Sequence, residues 1–340
     1  MRYIGSKQAL LDRLSFEINS RAPKTGVFCD LFSGSAAVAR YFKKRNYKII
    51  SNDIMQFSYF LQAATIDLNS KPNFKKLNFD PIEYLNRINI DRFDYFKGKF
   101  VVENYSPSKI RETGYFTTNN ALKIDAIRQQ INRWEHDTMI NNEEYVYLVA
   151  ALIEALPFVS NTTGTYGAFL KKWDKRAFKP ISLNDHEIFD NGLRNKSYCE
   201  DGKTLIKNLK GDILYIDPPY NGRQYGSNYH VLETIARYDY PNVRGVTSMR
   251  DNNDIRSNFC IKSKAKEELD EIIESSNFRY IFFSYNNEGI LCEEEIKETF
   301  TKYCKNNSFE VIKIPYRRYK RNQKSYSKQL FELLFVGEKK

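Results

Sequence analysis

The sequence predicts an α/β fold built around a parallel sheet. An apolar run at 26–32 indicates a buried strand, small residues at 33–36 indicate a turn, and the stretch at 37–44 indicates a helix. A second strand at 48–52 completes a β-α-β unit, the usual connection between parallel strands. The later apolar run Ile213–Ile216 predicts another strand of the same sheet.

The other elements are predicted in chain order around this unit. Strand–helix alternation fades between 70 and 190, where polar, aromatic and basic residues dominate, so we expect an inserted, mostly helical subdomain there. The remaining predicted elements are helices at 8–20, 56–68, 143–156, 264–275 and 293–305, a helix containing Trp134, a strand at 280–285, and a closing antiparallel pair at 309–314 and 329–337. The predicted domains are 1–69 together with 191–340, and 70–190.

The composition favours a nucleic-acid partner. The chain has 340 residues, 41% of them hydrophobic, so it can form a sizeable core. Lys and Arg outnumber Asp and Glu by 53 to 42, which gives a net charge of +11. Such a balance attracts polyanions, and the 24 Tyr and 24 Phe offer rings for base stacking. A basic protein without such a partner is the alternative.

Cysteine and histidine usage argues against several kinds of site. The five cysteines are widely spaced and include no C-x-x-C pair, so neither a zinc site nor a disulfide framework is predicted, and a reducing, cytoplasmic location is expected. The three histidines do not cluster, which argues against a Ser-His-Asp triad and a histidine metal site, and we predict no metal. The chain does not start like a signal peptide, and no apolar stretch reaches membrane-spanning length.

The most informative motif is Asp217-Pro218-Pro219-Tyr220, which directly follows the strand at 213–216. Open α/β sheets bind ligands at the carboxyl ends of their strands. The prolines stiffen the turn and lack N–H groups, while their carbonyls remain acceptors. Acceptors beside the stacking face of Tyr220 suit a planar base that carries an exocyclic amine. The plainer interpretation is a strand that ends in a proline turn with an incidental aspartate.

A second candidate site is the first strand-to-helix turn, Asp30–Ala36. Small residues let a ligand approach the backbone there, but Gly34 lacks the fuller glycine pattern of dinucleotide sites, which argues against NAD. Asp30 would suit the ammonium of an amino-acid-like cofactor, and Asp53, which closes the second strand, would suit ribose hydroxyls. Helix N-capping by these two aspartates is the alternative.

Taken together and in this order, the motifs resemble those of the Dam-type, alpha-class DNA adenine-N6 methyltransferases. The segments that carry the resemblance are Arg2–Lys7, Asp30–Ala36, Asn52–Ile54, Asn161–Gly167, Ser197–Asp201 and Asp217–Tyr220. The resemblance spans almost the whole chain, although 70–140 and 221–262 match no family motif. It implies a Rossmann-like methyltransferase sheet for 1–69 with 191–340, and a target-recognition subdomain for 70–190.

The resemblance also implies a reaction and its residues. S-adenosylmethionine would donate a methyl group to N6 of a flipped adenine in double-stranded DNA. The catalytic residues would be Asp217, Pro218, Pro219 and Tyr220. The cofactor-binding residues would be Tyr3, Lys7, Asp30, Phe32, Gly34, Asp53, Ile54, Tyr198, Cys199 and Asp217. Ser35 and Ala36 stand where the family often carries a second glycine, a departure that concerns the backbone contacts of this turn.

Two basic segments and one loop residue are candidates for DNA contact. Asn161 belongs to the Asn/Gly-rich segment that the family carries before its catalytic motif, and Lys171 and Lys172 follow it in a basic-aromatic run. A dense basic cluster near the C-terminus contains Arg317, Arg318 and Lys320. A solvated basic loop is the alternative for the lysine pair.

Three other functions remain open at this point. Cytosine-N4 methylation poses the same problem of an exocyclic amine, RNA adenine methylation has the same charge requirement, and an inactive methyltransferase scaffold would only bind nucleic acid. The main hypothesis is a site-specific DNA adenine methyltransferase of a restriction-modification system, with a cognate restriction endonuclease as partner. The sequence predicts neither the recognised DNA site nor the oligomeric state.

Overall fold

A computed structural model of the protein describes residues 7–109, 111–316 and 330–340. The strands are β1 (Val27–Asp30), β2 (Lys48–Asn52), β3 (Lys196–Tyr198), β4 (Lys210–Ile216), β5 (Val243–Arg244), β6 (Met249–Arg250), β7 (Asn277–Asn286), β8 (Glu310–Tyr316) and β9 (Leu330–Glu338). The α-helices are α1 (Leu11–Asn19), α2 (Ala37–Lys43), α3 (Gln56–Gln62), α4 (Pro81–Arg87), α5 (Phe100–Tyr105), α6 (Thr118–His136), α7 (Asn142–Ala155), α8 (Gly202–Leu205), α9 (Tyr225–Arg237), α10 (Lys262–Ser275) and α11 (Glu293–Tyr303).

The described residues group into two compact units. The first, which we call the sheet unit, is formed by the described parts of Lys7–Ile54, Leu193–Tyr225 and Arg256–Lys340. The second, which we call the helical unit, is formed by those of Met55–Gly192 and Gly226–Ile255.

The sheet unit contains a seven-stranded sheet in the order β3-β2-β1-β4-β7-β9-β8. Strands β3, β2, β1, β4 and β7 pair in parallel, whereas β9 runs antiparallel to both β7 and β8. Phe28 of β1 lies opposite Ile49 of β2 and Ile213 of β4, so the strands predicted from the sequence are direct neighbours. The predicted α/β, Rossmann-like fold is therefore confirmed.

Both faces of the sheet are covered, which explains why its strands read as nearly continuous apolar runs. Successive side chains of a strand point to opposite faces. Cys29, Leu214 and Ile281 lie opposite one another in β1, β4 and β7 and share a buried core with residues of α10 and α11. Phe28 points the other way and stacks on Phe42 of α2, with ring centroids 4.1 Å apart.

The helical unit is organised around α7, which is buried along most of its length. Its N-terminus is closed by a capping box in which Asn141 and Glu144 each accept the other's backbone N–H. In α9, the buried Glu233 accepts the N–H groups of Gln56 and Phe57, both at 3.1 Å, and so caps α3. The helices of this unit are therefore joined by buried caps as well as by apolar packing.

The unit boundaries differ from the predicted domains mainly in two segments. Residues 55–69 and 226–255 belong to the helical unit, whereas the predicted domain boundaries place them with the sheet. The reason is packing: Phe60 of α3 lies against Tyr145 of α7 (6.0 Å between ring centroids), and Phe57 of α3 lies against Tyr229 of α9 (5.6 Å). Which unit reads DNA remains a prediction. Within the described ranges, no helix is long and apolar enough to cross a membrane.

Candidate active site

The candidate site lies where three parallel strands of the sheet unit end. Asp30 is the last residue of β1, Asp53 follows β2, and Asp217 follows β4. Leu31 donates its N–H to the Tyr215 carbonyl at 3.1 Å, which keeps the ends of β1 and β4 in register. Asp30 and Asp217, far apart in the sequence, therefore share one edge of the sheet, as a parallel arrangement requires.

A buried ion cluster surrounds Asp217. Lys7 Nζ donates to Asp217 Oδ1 at 2.7 Å and lies 3.1 Å from Glu332 Oε1. Lys7 and Glu332 are buried, whereas the Asp217 side chain is 17% exposed. Asp217 Oδ2 accepts no hydrogen bond from any residue that the structure describes, and neither does the Pro218 carbonyl. One carboxylate oxygen is thus held by Lys7, while two acceptors beside it are left for a ligand.

The pKa values of Asp217 and Lys7 are shifted in this cluster. Burial raises the pKa of Asp217 to about 6, with Lys7 opposing this shift and Glu332 adding to it. Burial alone would lower the pKa of Lys7, but the charges of Asp217 and Glu332 raise it well above its ordinary value. Lys7 therefore stays charged, and Asp217 titrates close to neutrality.

Asp30 is a second carboxylate with an unusual proton affinity. Burial raises its pKa to about 7, hydrogen bonds from Ser33 and Ala39 oppose this, and the negative charges of Asp217 and Asp53 add to it. Its Oδ2 accepts the Ser33 hydroxyl at 2.9 Å and the Ala39 N–H at 3.2 Å. Ala39 lies in the first turn of α2, so Oδ2 of Asp30 does contact the N-terminus of that helix, as the N-capping alternative predicted. Its Oδ1 accepts no hydrogen bond within the described ranges.

The turn after β1 is tied to the end of β2. Gly34 has a φ of +52°, a left-handed conformation that favours glycine, and its N–H donates to Asp53 Oδ2 at 3.0 Å. Ser33 N–H donates to the Asn52 carbonyl at 2.8 Å. Asp53 therefore contributes to the shape of this turn, in addition to any role toward a ligand.

The predicted cofactor residues after β2 and β3 lie side by side. The N–H of Asp53 donates to the Tyr198 carbonyl at 3.3 Å, and Cys199 Sγ donates to the Ile54 carbonyl at 3.7 Å. Phe32 is half-buried and packs edge-on against Phe259, with ring centroids 5.5 Å apart. Tyr198 and Cys199 are also half-buried, so their side chains line the same edge with part of their surface exposed.

The catalytic turn packs against β7 and the residues that follow it. Pro218 and Pro219 are buried, and the Tyr220 carbonyl accepts the Ile290 N–H at 2.9 Å. The Tyr220 ring packs edge-on against Tyr285, with centroids 6.5 Å apart. Gly289 lies directly on the Tyr285 ring, because a Cβ there would stand 2.2 Å from Cε1. The turn is thus positioned by a close approach that only glycine permits.

Three residues of this site were not predicted from the sequence: Glu332, Tyr285 and Gly289. Glu332 did carry a signal, since it is an acidic residue with apolar neighbours on both sides in the strand Leu330–Glu338. A charge in a buried strand is rarely kept without a partner. No local pattern indicated that the partner is Lys7.

The DNA-binding candidates fall into three groups. Asn161 is fully buried, and its amide donates to the carbonyls of Gly114 and Leu170 while its Oδ1 accepts the Asp174 N–H. The predicted contact between Asn161 and DNA stays a prediction. The burial of this side chain and its hydrogen bonds to the backbone do not favour such a contact. Lys171 and Lys172 are exposed. Tyr3, Arg317, Arg318 and Lys320 lie outside the described residues.

The charges at the sheet edge suit a cationic ligand. Among the described residues, Asp30, Asp53, Asp217 and Glu332 supply four carboxylates, and Lys7 supplies one ammonium. Burial is the main cause of the raised pKa of Asp30, and a ligand with a sulfonium and an ammonium would offset the repulsion from Asp217 and Asp53 that adds to it. The residues therefore fit S-adenosylmethionine in charge. In the same parts of the chain, no three His, Cys, Asp or Glu side chains are grouped to hold a metal ion.

Comparison with known proteins identifies a family for the chain. Residues 3–299 match the family described as D12 class N6 adenine-specific DNA methyltransferase. The chain is 45% identical to Type II methyltransferase M.FokI of Planomicrobium okeanokoites and 43% identical to Modification methylase StsI of Streptococcus sanguinis, in both cases over 100% of its own length. It covers 53% and 52% of these two proteins, about half of each. It is also 39% identical to Type II methyltransferase M.NlaIII of Neisseria lactamica, over 100% of this chain and 99% of that protein.

Proposed function

The chain belongs to the D12 class of N6 adenine-specific DNA methyltransferases, and we propose that it transfers a methyl group from S-adenosylmethionine to N6 of an adenine flipped out of duplex DNA. The observation that carries this proposal is the environment of Asp217. Lys7 holds its Oδ1, while Oδ2 and the Pro218 carbonyl accept no hydrogen bond within the described ranges. Two adjacent acceptors match the two N–H groups of an exocyclic amine.

The acceptors explain how a poor nucleophile is activated. The N6 lone pair of adenine is delocalised into the ring. Hydrogen bonds from its N–H groups to Asp217 Oδ2 and the Pro218 carbonyl favour a tetrahedral nitrogen and strengthen as positive charge develops on it. Such bonds stabilise the transition state more than the ground state, which is what accelerates a reaction. Asp217 Oδ2 then takes the proton that the methylated nitrogen releases, and passes it to solvent.

The flipped base needs a surface that replaces its lost stacking. We assign that role to the Tyr220 ring, whose orientation is supported by Tyr285 behind it. Stacking and the two hydrogen bonds together would orient N6 for in-line attack, and orientation alone can supply much of a catalytic effect.

The cofactor residues follow from charge and position. When bound, S-adenosylmethionine supplies a methyl group on a sulfonium, which is already a good electrophile. Asp30 Oδ1 would bind its ammonium and Asp53 its ribose hydroxyls. Tyr198 and Cys199 would flank its adenine, and Phe32 would border its methionine and ribose parts, in keeping with the partly exposed side chains of all three residues.

The relatives suggest the biological setting. Two are named type II methyltransferases and one a modification methylase. We therefore propose that this chain is the modification component of a restriction-modification system, with duplex DNA as substrate and a cognate endonuclease as its functional counterpart. The cytoplasmic location predicted from the cysteines remains a prediction.

The test is to incubate the protein with unmethylated DNA and S-adenosylmethionine and to quantify modified nucleosides by mass spectrometry. N6-methyladenine is expected from the wild type and from Asp12→Ala, an exposed matched control whose carboxylate accepts the Tyr41 hydroxyl. Asp217→Ala should form none, yet still bind labelled cofactor. N4-methylcytosine would overturn the substrate base, modification of RNA alone would overturn the DNA assignment, and turnover by Asp217→Ala would refute the role of that residue.

A further inference from the structure

Glu332 is a buried acidic residue that the reaction described above does not use. It lies in β9, where its neighbours Phe331, Leu333 and Leu334 are apolar, and it is 5% exposed. Removing a carboxylate from water costs several kcal/mol unless it is paired and hydrogen-bonded. A carboxylate at this position therefore calls for a specific explanation.

Its contacts point to the catalytic turn. The Ser284 hydroxyl of β7 donates to Glu332 Oε1 at 2.5 Å, and Lys7 Nζ lies 3.1 Å from the same oxygen. Strands β7 and β9 pair antiparallel, with Asn286 opposite Glu332, so the carboxylate is held by the sheet itself. Lys7 Nζ in turn donates to Asp217 Oδ1 at 2.7 Å. The ammonium is thus fixed between two carboxylates, one anchored in β9 and the other on the catalytic turn.

We propose that Glu332 is a positioning residue, which acts through Lys7 to set the orientation and the charge of Asp217. This inference rests on the proposed function, since it concerns how the acceptor for the target amine is prepared. A lysine side chain has a flexible stem and three rotatable donors, so a single carboxylate would hold it loosely. The second carboxylate confines the ammonium to Oδ1 of Asp217 and leaves Oδ2 turned toward the ligand.

The second carboxylate also changes the balance of charge. Lys7 with Asp217 alone would form a neutral pair, in which the carboxylate is a weakened acceptor. Glu332 restores one net negative charge, and its field raises the proton affinity of Asp217. The other ionisable groups of the described chain that face Asp217 or Lys7 are Asp30 and Tyr215, and neither contacts Lys7 by a hydrogen bond or salt bridge. Within the described ranges, Lys7 is therefore shared between Asp217 and Glu332.

The test is Glu332→Gln, which keeps size and shape but removes the charge. The matched control is Glu338→Gln in the same strand, whose carboxylate pairs with Arg279 and Lys305 at the surface. We expect Glu332→Gln to lower kcat roughly 10- to 100-fold, the range for a misplaced reacting group, with KM for S-adenosylmethionine within about twofold of wild type. The acid limb of the kcat/KM profile should move to lower pH, because the charge that raises the pKa of Asp217 is gone.

A double-mutant cycle separates action through Lys7 from a general structural role. In a Lys7→Met background, Glu332→Gln should have little further effect on the kcat reached above the acid limb, because the connecting ammonium is missing. It should still move the acid limb to lower pH, because its charge acts directly on Asp217. Ser284→Ala serves as a second variant if Glu332→Gln folds poorly. It removes the hydroxyl that holds Glu332 but keeps the carboxylate charge, and it should reduce kcat several-fold.

Three results would overturn the inference. They are unchanged kcat and pH profile in Glu332→Gln, equal losses in Glu332→Gln and Glu338→Gln, and full additivity of Lys7→Met with Glu332→Gln. The wild-type protein is assayed in the same series. A wild type that forms no N6-methyladenine would count against the proposed function, whereas an active wild type with an unaffected Glu332→Gln would count against this inference alone.

Discussion

Replacing Lys7 by Met should slow methyl transfer and move the acid limb of its pH–rate profile to higher pH. The ammonium lies 2.7 Å from Asp217 and 3.1 Å from Glu332. Methionine keeps an unbranched stem but carries no charge, so the two carboxylates are left without their shared counter-charge. Protonation of Asp217 then becomes easier, and a protonated carboxyl no longer offers two acceptor oxygens.

The size of the shift follows from the burial of the cluster. Removing one partner of a buried ion pair costs about 3–5 kcal/mol. The low end, about 3 kcal/mol, applies here because Asp217 is 17% exposed. Lys7 is shared with Glu332, so half of this, about 1.5 kcal/mol, falls on Asp217 and raises its pKa by about one. Starting from a pKa of about 6, much of the variant would carry neutral Asp217 near neutral pH.

The assay is transfer of labelled methyl groups into DNA from about pH 5 to about pH 9 at saturating cofactor. Lys24→Met, a change of an exposed loop lysine, is the matched control and should follow the wild-type profile. Circular dichroism shows whether each variant is folded. If folded Lys7→Met has its acid limb at or below the wild-type pH, the electrostatic role assigned to Lys7 is wrong. The shift is opposite in sign to that expected for Glu332→Gln, so a common loss of stability cannot produce both.

Three further predictions concern other residues. The pKa of Asp30 is raised from 3.8 to about 7 in the folded state, so its ionisation should reduce the free energy of unfolding by up to about 4 kcal/mol as pH rises through that range. Asp30→Asn should therefore flatten the dependence of Tm on pH. An unchanged slope would contradict this prediction. Gly289→Ala would push a Cβ into the ring that supports the catalytic turn and should cost about 1–3 kcal/mol in denaturant unfolding, whereas Gly98→Ala, with no atom within 4 Å of the added Cβ, should leave stability nearly unchanged. Lys171→Ala with Lys172→Ala should weaken DNA binding and lower its salt slope by about 1–2 with Tm unchanged, and an unaltered slope in filter binding would exclude phosphate contacts by these exposed lysines.

The elements of the sheet unit were predictable because local patterns specify them. The predicted strand at 26–32, helix at 37–44 and strand at 48–52 correspond to Val27–Asp30, Ala37–Lys43 and Lys48–Asn52. Apolar runs bounded by a small-residue turn leave few other arrangements for such segments. The same holds for the closing antiparallel pair, β8 and β9.

The helical unit was less predictable because its extent depends on packing between distant segments. Helix α9 was not predicted, and it joins this unit through Tyr229 and the cap that Glu233 forms on α3. Asn161 belongs to a segment that was identified by its resemblance to a family motif. Only the structure shows that its side-chain amide is hydrogen-bonded to backbone groups. A motif identifies a residue without stating which way its side chain points.

The sequence alone determined the fold class, the family and the placement of Asp30 and Asp217 at the same edge of the sheet. These depend on local apolar patterns and on the rule that parallel strands end at one edge. Only the tertiary structure decided that Lys7 joins Asp217 to Glu332. That junction brings together the start of the chain, the end of β4 and the last strand, whose register is set by non-local pairing with β7. Side-chain partners across such distances follow from the register and packing of the whole sheet, and no short segment of the sequence encodes them.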